Sequence, residues 1–412
     1  MAAAGLSPMA RDARDGSGHR KDLRSERADR SDAQADDSHS NGAHSNGAHA
    51  RDPFPDRSAH AADARSIWYL TRKFPPSRGG MQQLSARIAG ELSALRPLTL
   101  VRWGRGQWGL PLFLPWALAR LLVGLLRGRV RVLLLGDPVL AALALPARWA
   151  GVPVAVVVHG LDIDWPHRGY RAYLRRFFWN RCDVYFCISR YVRDRLGEGG
   201  VDPARCALVH PGVAATAPSP RVPPAAEPRL LILGRLVRRK GALWFVEHVM
   251  PKLRADPRGI VLDIVGEGPD RAAIERAIER EGLHARVRLW GEVDDAEKAR
   301  RLDACDLALM PNRRVPGDPE GFGLVALEAA MSGRYVLAAD LEGLRDALAD
   351  PALGRLLPER ADPDLWSAAI LELLADRAAL RERGRAARAH AAAHCTWRGM
   401  AQRYAERLDA FA

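Results

Sequence analysis

The segment EGFGLVALE carries two carboxylates, Glu320 and Glu328, at the two ends of a glycine-rich start to a helical pattern. Carboxylates accept hydrogen bonds well from the hydroxyls of sugars and of ribose. A solvated loop charge followed by a glutamate on a helix face is the alternative. Small apolar residues surround Glu328, and an unpaired charge is costly there. The pattern therefore favours recognition of sugar and ribose hydroxyls.

Cations follow the apolar strand at 229–233, in the sequence GRLVRRKG. Arg235 and Lys240 lie in the loop that leads from this strand into a helical pattern. Cations near a helix N-terminus form an anion site that suits a diphosphate. Because Arg238 and Arg239 lie in the same loop, a solvated basic loop remains an alternative at this point.

Three further turns follow apolar strands. VGEGPD has Gly266 and Gly268 before a helix, and SRGGM has Gly79 and Gly80 at the start of another. Glycines let backbone N–H groups approach a phosphate or a ribose closely. In VVVHG, His159 directly follows a buried strand. A histidine at that point faces the place where parallel sheets bind ligands, although a lone histidine is also a common structural residue.

The elements that must position these residues repeat twice. Apolar strands alternate with helical patterns from 67–70 to 206–210, and again from 229–234 to 335–339. The stretch 217–228 between them is rich in proline and reads as a linker. This alternation predicts α/β architecture with two Rossmann-like, doubly wound parallel sheets facing across a cleft. The predicted helices include 138–150 and 243–253, and the C-terminal region over 363–411 is also predicted to be helical.

Charge is unevenly distributed. Residues 65–222 contain 23 Lys and Arg against 8 Asp and Glu, whereas residues 223–412 contain 30 of each kind. Residues 1–64 contain a repeated SNGAH and almost no large apolar residue, so we predict a disordered tail. The five cysteines form no CxxC pair, and neither a signal peptide nor a membrane-spanning run is evident. We therefore expect a cytoplasmic protein with reduced thiols.

The order and spacing of these motifs resemble the retaining glycosyltransferases of family 4, also called glycosyl transferases group 1. EGFGLVALE matches that family's E-x7-E signature, GRLVRRKG its Arg and Lys pair, and VGEGP its nucleotide-binding turn. The resemblance implies a GT-B fold, with a C-terminal helix that returns toward the N-terminal domain. The implied divisions are a tail (1–64), an acceptor domain (65–222), a nucleotide-sugar donor domain (223–395) and a crossover helix (396–412).

The resemblance also implies roles for individual residues. Arg235 and Lys240 would neutralise the donor diphosphate, Glu320 would bind the donor sugar, and Glu328 would hold the ribose hydroxyls. His159 would face the transferred sugar. The remaining donor-binding residues would be Gly79, Gly80, Gly266, Gly268, Trp290, Val293 and the EGFG loop residues Gly321, Phe322, Gly323 and Leu324.

The implied reaction moves a hexose from a UDP- or GDP-sugar to a lipid-linked or polysaccharide acceptor in bacterial surface polysaccharide synthesis. Same-face attack gives retention, and fixed cations stabilise the leaving diphosphate. We expect the reaction to need no metal and no cofactor. The sequence departs from the family at AADLEGLRDAL, where Glu342 replaces the first glycine of a common Gly-Gly pair. We therefore expect altered geometry in that loop.

The basic half has two amphipathic segments, 110–131 and 167–181, which interleave arginines with aromatic and apolar residues. Such surfaces bind anionic lipid head groups, and we predict peripheral contact with the inner membrane. Ordinary domain helices with solvated arginines are the alternative. A nucleic-acid binder and a GT-B scaffold without catalysis are the rival functions. No nucleic-acid motif is evident. The presence of both glutamates, Arg235 and Lys240 favours a catalytic protein over an inactive scaffold. The pairing of the two glutamates also favours sugar transfer over the epimerisation of a sugar nucleotide.

Overall fold

A computed structural model describes residues 65–77, 79–104, 109–215 and 225–411. The predicted disordered tail (1–64) lies outside the described residues, as does most of the predicted linker. The described chain contains two separate six-stranded sheets, and every strand pair within them is parallel.

The first sheet has the strand order β2-β1-β3-β4-β5-β6. Its strands are continuous apolar runs, as in β4, whose five residues are all buried, because helices cover both faces of a parallel sheet. The strands are β1 (Ser66–Thr71), β2 (Leu98–Arg102), β3 (Val130–Leu135), β4 (Val154–Val158), β5 (Val184–Cys187) and β6 (Cys206–Leu208). The helices are α1 (Gly80–Ser93), α2 (Leu110–Leu126), α3 (Ala144–Trp149), α4 (Leu161–Asp164), α5 (Arg168–Phe177) and α6 (Arg190–Glu198).

The second sheet has the order β12-β11-β10-β7-β8-β9. Its strands are β7 (Arg229–Leu233), β8 (Val261–Val265), β9 (Val287–Gly291), β10 (Leu307–Met310), β11 (Tyr335–Ala339) and β12 (Gly354–Leu357). Its helices are α7 (Ala242–His248), α8 (Met250–Leu253), α9 (Arg271–Arg280), α10 (Asp295–Ala304), α11 (Leu324–Met331), α12 (Leu344–Ala347), α13 (Pro363–Ala375) and α14 (Arg377–His394).

The last helix, α15 (Trp397–Asp409), returns to the first sheet. It packs against α1, and the ring of Tyr404 stacks on Phe186 of β5 with ring centroids 4.1 Å apart. The carboxylate of Asp409 receives hydrogen bonds from Arg96 and Arg131 of the first half. The predicted crossover of the C-terminal helix is therefore present.

Both sheets have a topological switch point, where ligands bind in doubly wound folds. In the first sheet β1 lies between β2 and β3, and in the second β7 lies between β8 and β10. The loops after β1, β7 and β10 carry the sequence-predicted glycines, cations and Glu320. The fold thus brings the candidate residues to the edges where the strands end.

Three elements differ from the sequence-based prediction. The helix predicted over 243–253 is two helices, since Pro251 has no N–H to donate to an earlier carbonyl and α8 starts anew at Met250. The helix predicted over 138–150 begins as a 3-10 helix, Pro138–Leu143, before α3. The strand β12 was not predicted, because its four residues, GRLL, give little apolar pattern.

Candidate active site

Glu320 is held by two cations and an amide. Its carboxylate lies 2.6 Å from Nζ of Lys240 and accepts hydrogen bonds of 2.9 Å from Arg239 and from Asn312. Burial alone would raise the pKa of Glu320, but the charges of Lys240 and Arg239 and these hydrogen bonds outweigh it and lower the pKa. Glu320 is therefore an ionised acceptor group, oriented before any ligand arrives.

The backbone of Glu320 is held as well. Its N–H donates to the Glu342 carboxylate at 2.5 Å, and its carbonyl accepts from the N–H of Gly343 at 3.0 Å. Glu342 adopts a left-handed conformation, with φ 44°, at the position where the sequence departs from the glycine pair. Burial raises the pKa of Glu342, against the opposing charge of Arg314, 3.7 Å away. The departure from the glycine pair thus gives this loop a carboxylate that accepts a hydrogen bond from the backbone of Glu320.

The EGFG loop joins β10 to α11 and contacts the first half of the chain. A methyl group on Gly321 would lie 2.4 Å from the carbonyl oxygen of His159, so only glycine fits this approach. Gly323 has φ 91°, and Phe322 is buried with its ring centroid 5.6 Å from that of His210. The N–H groups of Leu324 and Val325, at the start of α11, have no earlier helical carbonyl to bond and can meet an anion, whereas that of Ala326 donates to Gly323.

The N-terminus of α1 lies beside that of α11. Gly79 precedes α1 with φ 145° and provides no side-chain cap. A methyl group on Gly80 would lie 3.7 Å from Cδ1 of Leu324, at the start of α11. Two helix N-termini therefore converge on one place, and their partial positive charges favour an anion there.

The two predicted cations differ in their surroundings. Lys240 is paired with Glu320, whereas Arg235 is exposed and forms no ion pair with any residue that the structure describes. The inward-facing arginine of this loop is Arg239, which is 6% exposed and also lies 2.9 Å from Asp318. Arg239 was not among the predicted site residues, although it was noted in the same basic loop.

Gly266 and Gly268 have a packing role. Methyl groups on them would lie 2.0 Å from the carbonyl oxygen of Gly234 and 2.3 Å from that of Leu236. The two glycines therefore allow the loop after β8 to pack against the loop that holds Arg235. Their contact with a nucleotide stays a prediction.

Three further predicted donor-binding residues, Glu328, Trp290 and Val293, lie in the second half of the chain. Glu328, on α11, pairs with Lys298 at 3.1 Å. The Trp290 indole donates to Asp263 at 2.8 Å, and the Arg301 guanidinium lies 3.8 Å from its ring centroid. Val293, in the loop after β9, is half-buried. Trp290 and Val293 therefore lie at and just after the carboxyl end of β9, and the Glu328 pair joins α11 to α10.

His159 is fixed by backbone contacts. The ring nitrogen Nε2 of His159 lies 3.0 Å from the carbonyl oxygen of Gly136. The backbone N–H of His159 donates to the Asp162 carboxylate. Asp162 is buried, which raises its pKa to about 6, although the charge of His159 opposes the rise. His159 is only 4% exposed, so its side chain is part of the packed end of β4, and its predicted role toward the sugar stays a prediction.

Each half of the chain matches a known protein-family model. Residues 65–216 match the family model described as Glycosyltransferase Family 4, and residues 227–376 match the model described as Glycosyl transferases group 1. This chain belongs to glycosyltransferase family 4. The resemblance inferred from the motifs is thus confirmed, and the protein is a glycosyltransferase.

Relatives of this glycosyltransferase extend over most or half of the chain. It is 28% identical over 375 residues to the GDP-mannose-dependent alpha-(1-6)-phosphatidylinositol monomannoside mannosyltransferase of Mycolicibacterium smegmatis. The aligned region covers 82% of this chain and 97% of that protein. It is 36% identical over 233 residues to the D-inositol 3-phosphate glycosyltransferase of Nocardia farcinica, covering 52% of this chain and 50% of that protein.

Solved structures confirm the GT-B fold of the glycosyltransferase. A Rickettsia africae glycosyltransferase superposes with a TM-score of 0.68 at 15% identity, covering 85% of this chain and 99% of that one. Anabaena HepE, solved with UDP and glucose, superposes with a TM-score of 0.62 at 18% identity, covering 84% and 99%.

One further cation of the glycosyltransferase was missed by the sequence analysis. Lys73, in the loop after β1, is half-buried, and burial together with the charges of Arg72 and Arg235 lowers its pKa. Arg72 is neutralised by Asp137 at 2.9 Å, whereas Lys73 has no ion-pair partner in the described part of the chain. The signal was present in TRKF, where two cations directly follow a strand.

Proposed function

We propose that this glycosyltransferase moves a hexose, with retention, from a UDP- or GDP-sugar to a lipid-linked or polysaccharide acceptor. The convergence of the α1 and α11 N-termini carries this proposal, together with the loop of Arg235 and Lys240, which reaches the start of the EGFG loop through the Lys240–Glu320 pair. Helix N-termini and cations suit a diphosphate. Glu320 is fixed next to Lys240 and supplies an acceptor for hydroxyls of the donor sugar.

The proposed step needs no nucleophile from the protein. The bond between the anomeric carbon and the diphosphate oxygen breaks, and the acceptor hydroxyl bonds to the same face of that carbon. The hydroxyl proton passes to the departing diphosphate. Negative charge grows on the diphosphate in the transition state, and Arg235 and Lys240 stabilise it without reorganisation. We propose that the reaction proceeds without a metal ion, so that EDTA leaves turnover unchanged.

The relatives suggest which donors and acceptors to test first. The Mycolicibacterium smegmatis relative is named for GDP-mannose and a phosphatidylinositol mannoside, and HepE was solved with UDP and glucose. GDP-mannose and UDP-glucose are therefore the first donors in a thermal-shift screen. A glycosylated phospholipid and a surface oligosaccharide are the first acceptors.

The deciding experiment combines binding with turnover. One nucleotide sugar should raise the melting temperature of the wild-type protein, and Lys240→Ala should reduce turnover by roughly 10²–10³-fold. Lys252→Ala is the matched control, because Lys252 lies on α8 and pairs with Asp364 outside the site. Proton NMR of the product reports retention at the anomeric carbon. Absence of a shift with every nucleotide sugar would contradict the proposal.

We also propose that the first domain binds an anionic membrane surface as a peripheral protein. Arg127, Arg129, Arg168, Arg171 and Arg175 are exposed, and none forms an ion pair within the described residues. Each cation near an anionic surface contributes about 1 kcal/mol. Among the described helices none is long and apolar enough to cross a bilayer.

Vesicle flotation tests the membrane proposal. The protein should float with anionic vesicles and remain behind with neutral ones, and high salt should release it. Arg171→Ser with Arg175→Ser should reduce flotation about 10-fold or more. Arg276→Ser with Arg288→Ser removes the same charge from exposed positions of the second domain and serves as control. Equal losses in both double variants would argue against a specific face.

A further inference from the structure

The first domain contains a groove that the proposed sugar-transfer site does not use. It has a volume of about 710 Å³ and lies between α2, the segment from Pro138 through α3, and α5. That volume is in the usual range for a small-molecule site. Its wall is made almost entirely of aliphatic and aromatic groups, among them Leu114, Leu118, Leu122, Leu143, Trp149 and Tyr173.

The two tyrosines of the wall present only their rings. The hydroxyl of Tyr170 donates to the carbonyl oxygen of Asp162, and that of Tyr173 donates to the carbonyl oxygen of Val139. Tyr173 also accepts the N–H of Ala142. Because backbone groups satisfy these hydroxyls, the groove offers a polar ligand no fixed side-chain partner from them, and an apolar occupant loses nothing there.

One side of the groove is open to water. Trp149 is 83% exposed, and Leu118 and Leu122 are 36% and 41% exposed. On the outer surface of α2 the exposed apolar residues continue with Trp116 and Leu126. A contiguous apolar surface of this kind is unusual on a protein that meets only water, and it marks a site for an apolar partner.

The elements that form the groove carry charges of a single sign. The elements that form it, α2, the segment 138–149 and α5, contain no Asp or Glu, whereas α5 alone contains Arg168, Arg171, Arg175 and Arg176. Arg120 of α2 stacks over Trp116, with its guanidinium carbon 5.7 Å from the ring centroid. The occupant that fits is therefore apolar along its body and anionic at its head.

We propose that this groove binds one hydrocarbon chain of an anionic membrane phospholipid, whose head group meets the surrounding arginines. This inference extends the proposed membrane contact from surface attraction to a defined site inside the first domain. It does not depend on the chemistry of the donor site. Tyr170 joins the groove to Asp162 of α4, which in turn accepts the backbone N–H of His159. A seated chain would hold the face formed by α2 and α5 at the bilayer.

A soluble single-chain anion tests the groove without a bilayer. Dansyl-undecanoic acid, whose emission rises in an apolar site, should bind the full chain saturably with one molecule per chain. Leu122→Glu places a carboxylate in the wall and should raise the Kd by about 10-fold or more. Leu126→Glu makes the same change one turn along α2, at a residue that is 88% exposed and outside the wall, and should change the Kd less than about twofold.

Two controls separate seating of the hydrocarbon chain from binding of the fluorophore alone and from a folding defect. Dansylglycine, which has the fluorophore without the chain, should not bind, and lysophosphatidylglycerol should displace the probe. Ala142→Trp fills the groove from its wall and should abolish binding even if Leu122→Glu disturbs the fold. Equal losses in Leu122→Glu and Leu126→Glu, or tight binding of dansylglycine, would overturn the proposal.

The donor site provides an independent reference. Leu122→Glu should keep the melting-temperature rise that a nucleotide sugar gives the wild type, because the groove lies outside the donor site. If no nucleotide sugar stabilises the wild type while the probe still binds with the expected variant pattern, the proposed transfer reaction fails and the lipid groove stands.

Discussion

At the scale of single residues, Glu342 connects an unusual backbone to the candidate catalytic carboxylate. Its φ of 44° is unfavourable for any residue other than glycine and costs about 1 kcal/mol. In return its carboxylate accepts the N–H of Glu320. We infer that Glu342 is a positioning residue, which acts through Glu320 and does not touch the reacting atoms.

Three variants at this position separate strain from positioning. Glu342→Ala keeps the strain and loses the hydrogen bond, so it should lower stability by about 1–3 kcal/mol and turnover by about 10-fold or more. Glu342→Gly should recover about 1 kcal/mol of stability but not turnover. Glu342→Gln keeps an acceptor oxygen and should restore most activity. Unfolding in denaturant and steady-state kinetics give the two readouts, and full activity of Glu342→Gly would refute the positioning role.

Asp162 gives the stability a dependence on pH. Its pKa is raised by burial to about 6, above the unfolded value near 3.9. Between these values the folded state binds more protons than the unfolded state, so stability falls as the pH rises from about 4 to about 6. The loss should reach about 2–3 kcal/mol.

The variant Asp162→Asn should flatten that part of the pH profile. Its single amide oxygen can still accept the N–H of His159, which both carboxylate oxygens now share. Denaturant unfolding of both proteins between pH 4 and 7 measures the difference. An unchanged slope in the variant would assign the pH dependence to another group.

At the scale of elements, the sequence predicts the strands best. A buried parallel strand is a continuous apolar run, so β11 has the predicted bounds, 335–339. The orientation within loops is harder to predict. Arg235, Arg238 and Arg239 are chemically equivalent in the sequence, and the 3-10 turn Arg238–Lys240 decides that Arg239 faces Glu320. The packing roles of Gly266 and Gly268 likewise depend on a neighbouring loop that is distant in sequence.

The docking of α15 on the first half is testable through Asp409. This carboxylate pairs with Arg96 at 2.6 Å and Arg131 at 2.8 Å, and these arginines lower its pKa. Because the three groups are partly exposed to solvent, Asp409→Ala should cost only about 1 kcal/mol. Glu406→Ala, at an exposed position of the same helix, is the control. A loss of several kcal/mol, or none in either protein, would contradict this view of the contact.

At the scale of the whole molecule, the first and second halves of the chain contact each other closely at Gly160 and Gly321. The His159 carbonyl approaches Gly321 so closely that a methyl group there would lie 2.4 Å away, and a methyl group on Gly160 would lie 3.8 Å from the Gly321 Cα. These contacts join the loop after β4 to the EGFG loop. The distance between the α1 and α11 N-termini therefore depends on residues that have no side chain.

Gly321→Ala should therefore hold the halves apart. The added methyl group must displace the His159 carbonyl, so the two helix N-termini can no longer reach one diphosphate together. We expect a slightly larger radius of gyration by small-angle X-ray scattering and a donor KM raised by about 10-fold, since each lost hydrogen bond to a charged group contributes about 1.5–3 kcal/mol. Gly197→Ala, in α6 with open space around it, should leave both values unchanged. If Gly321→Ala binds donor as well as the wild type, one helix N-terminus is sufficient for the diphosphate, and the convergence that supports the proposed function is dispensable.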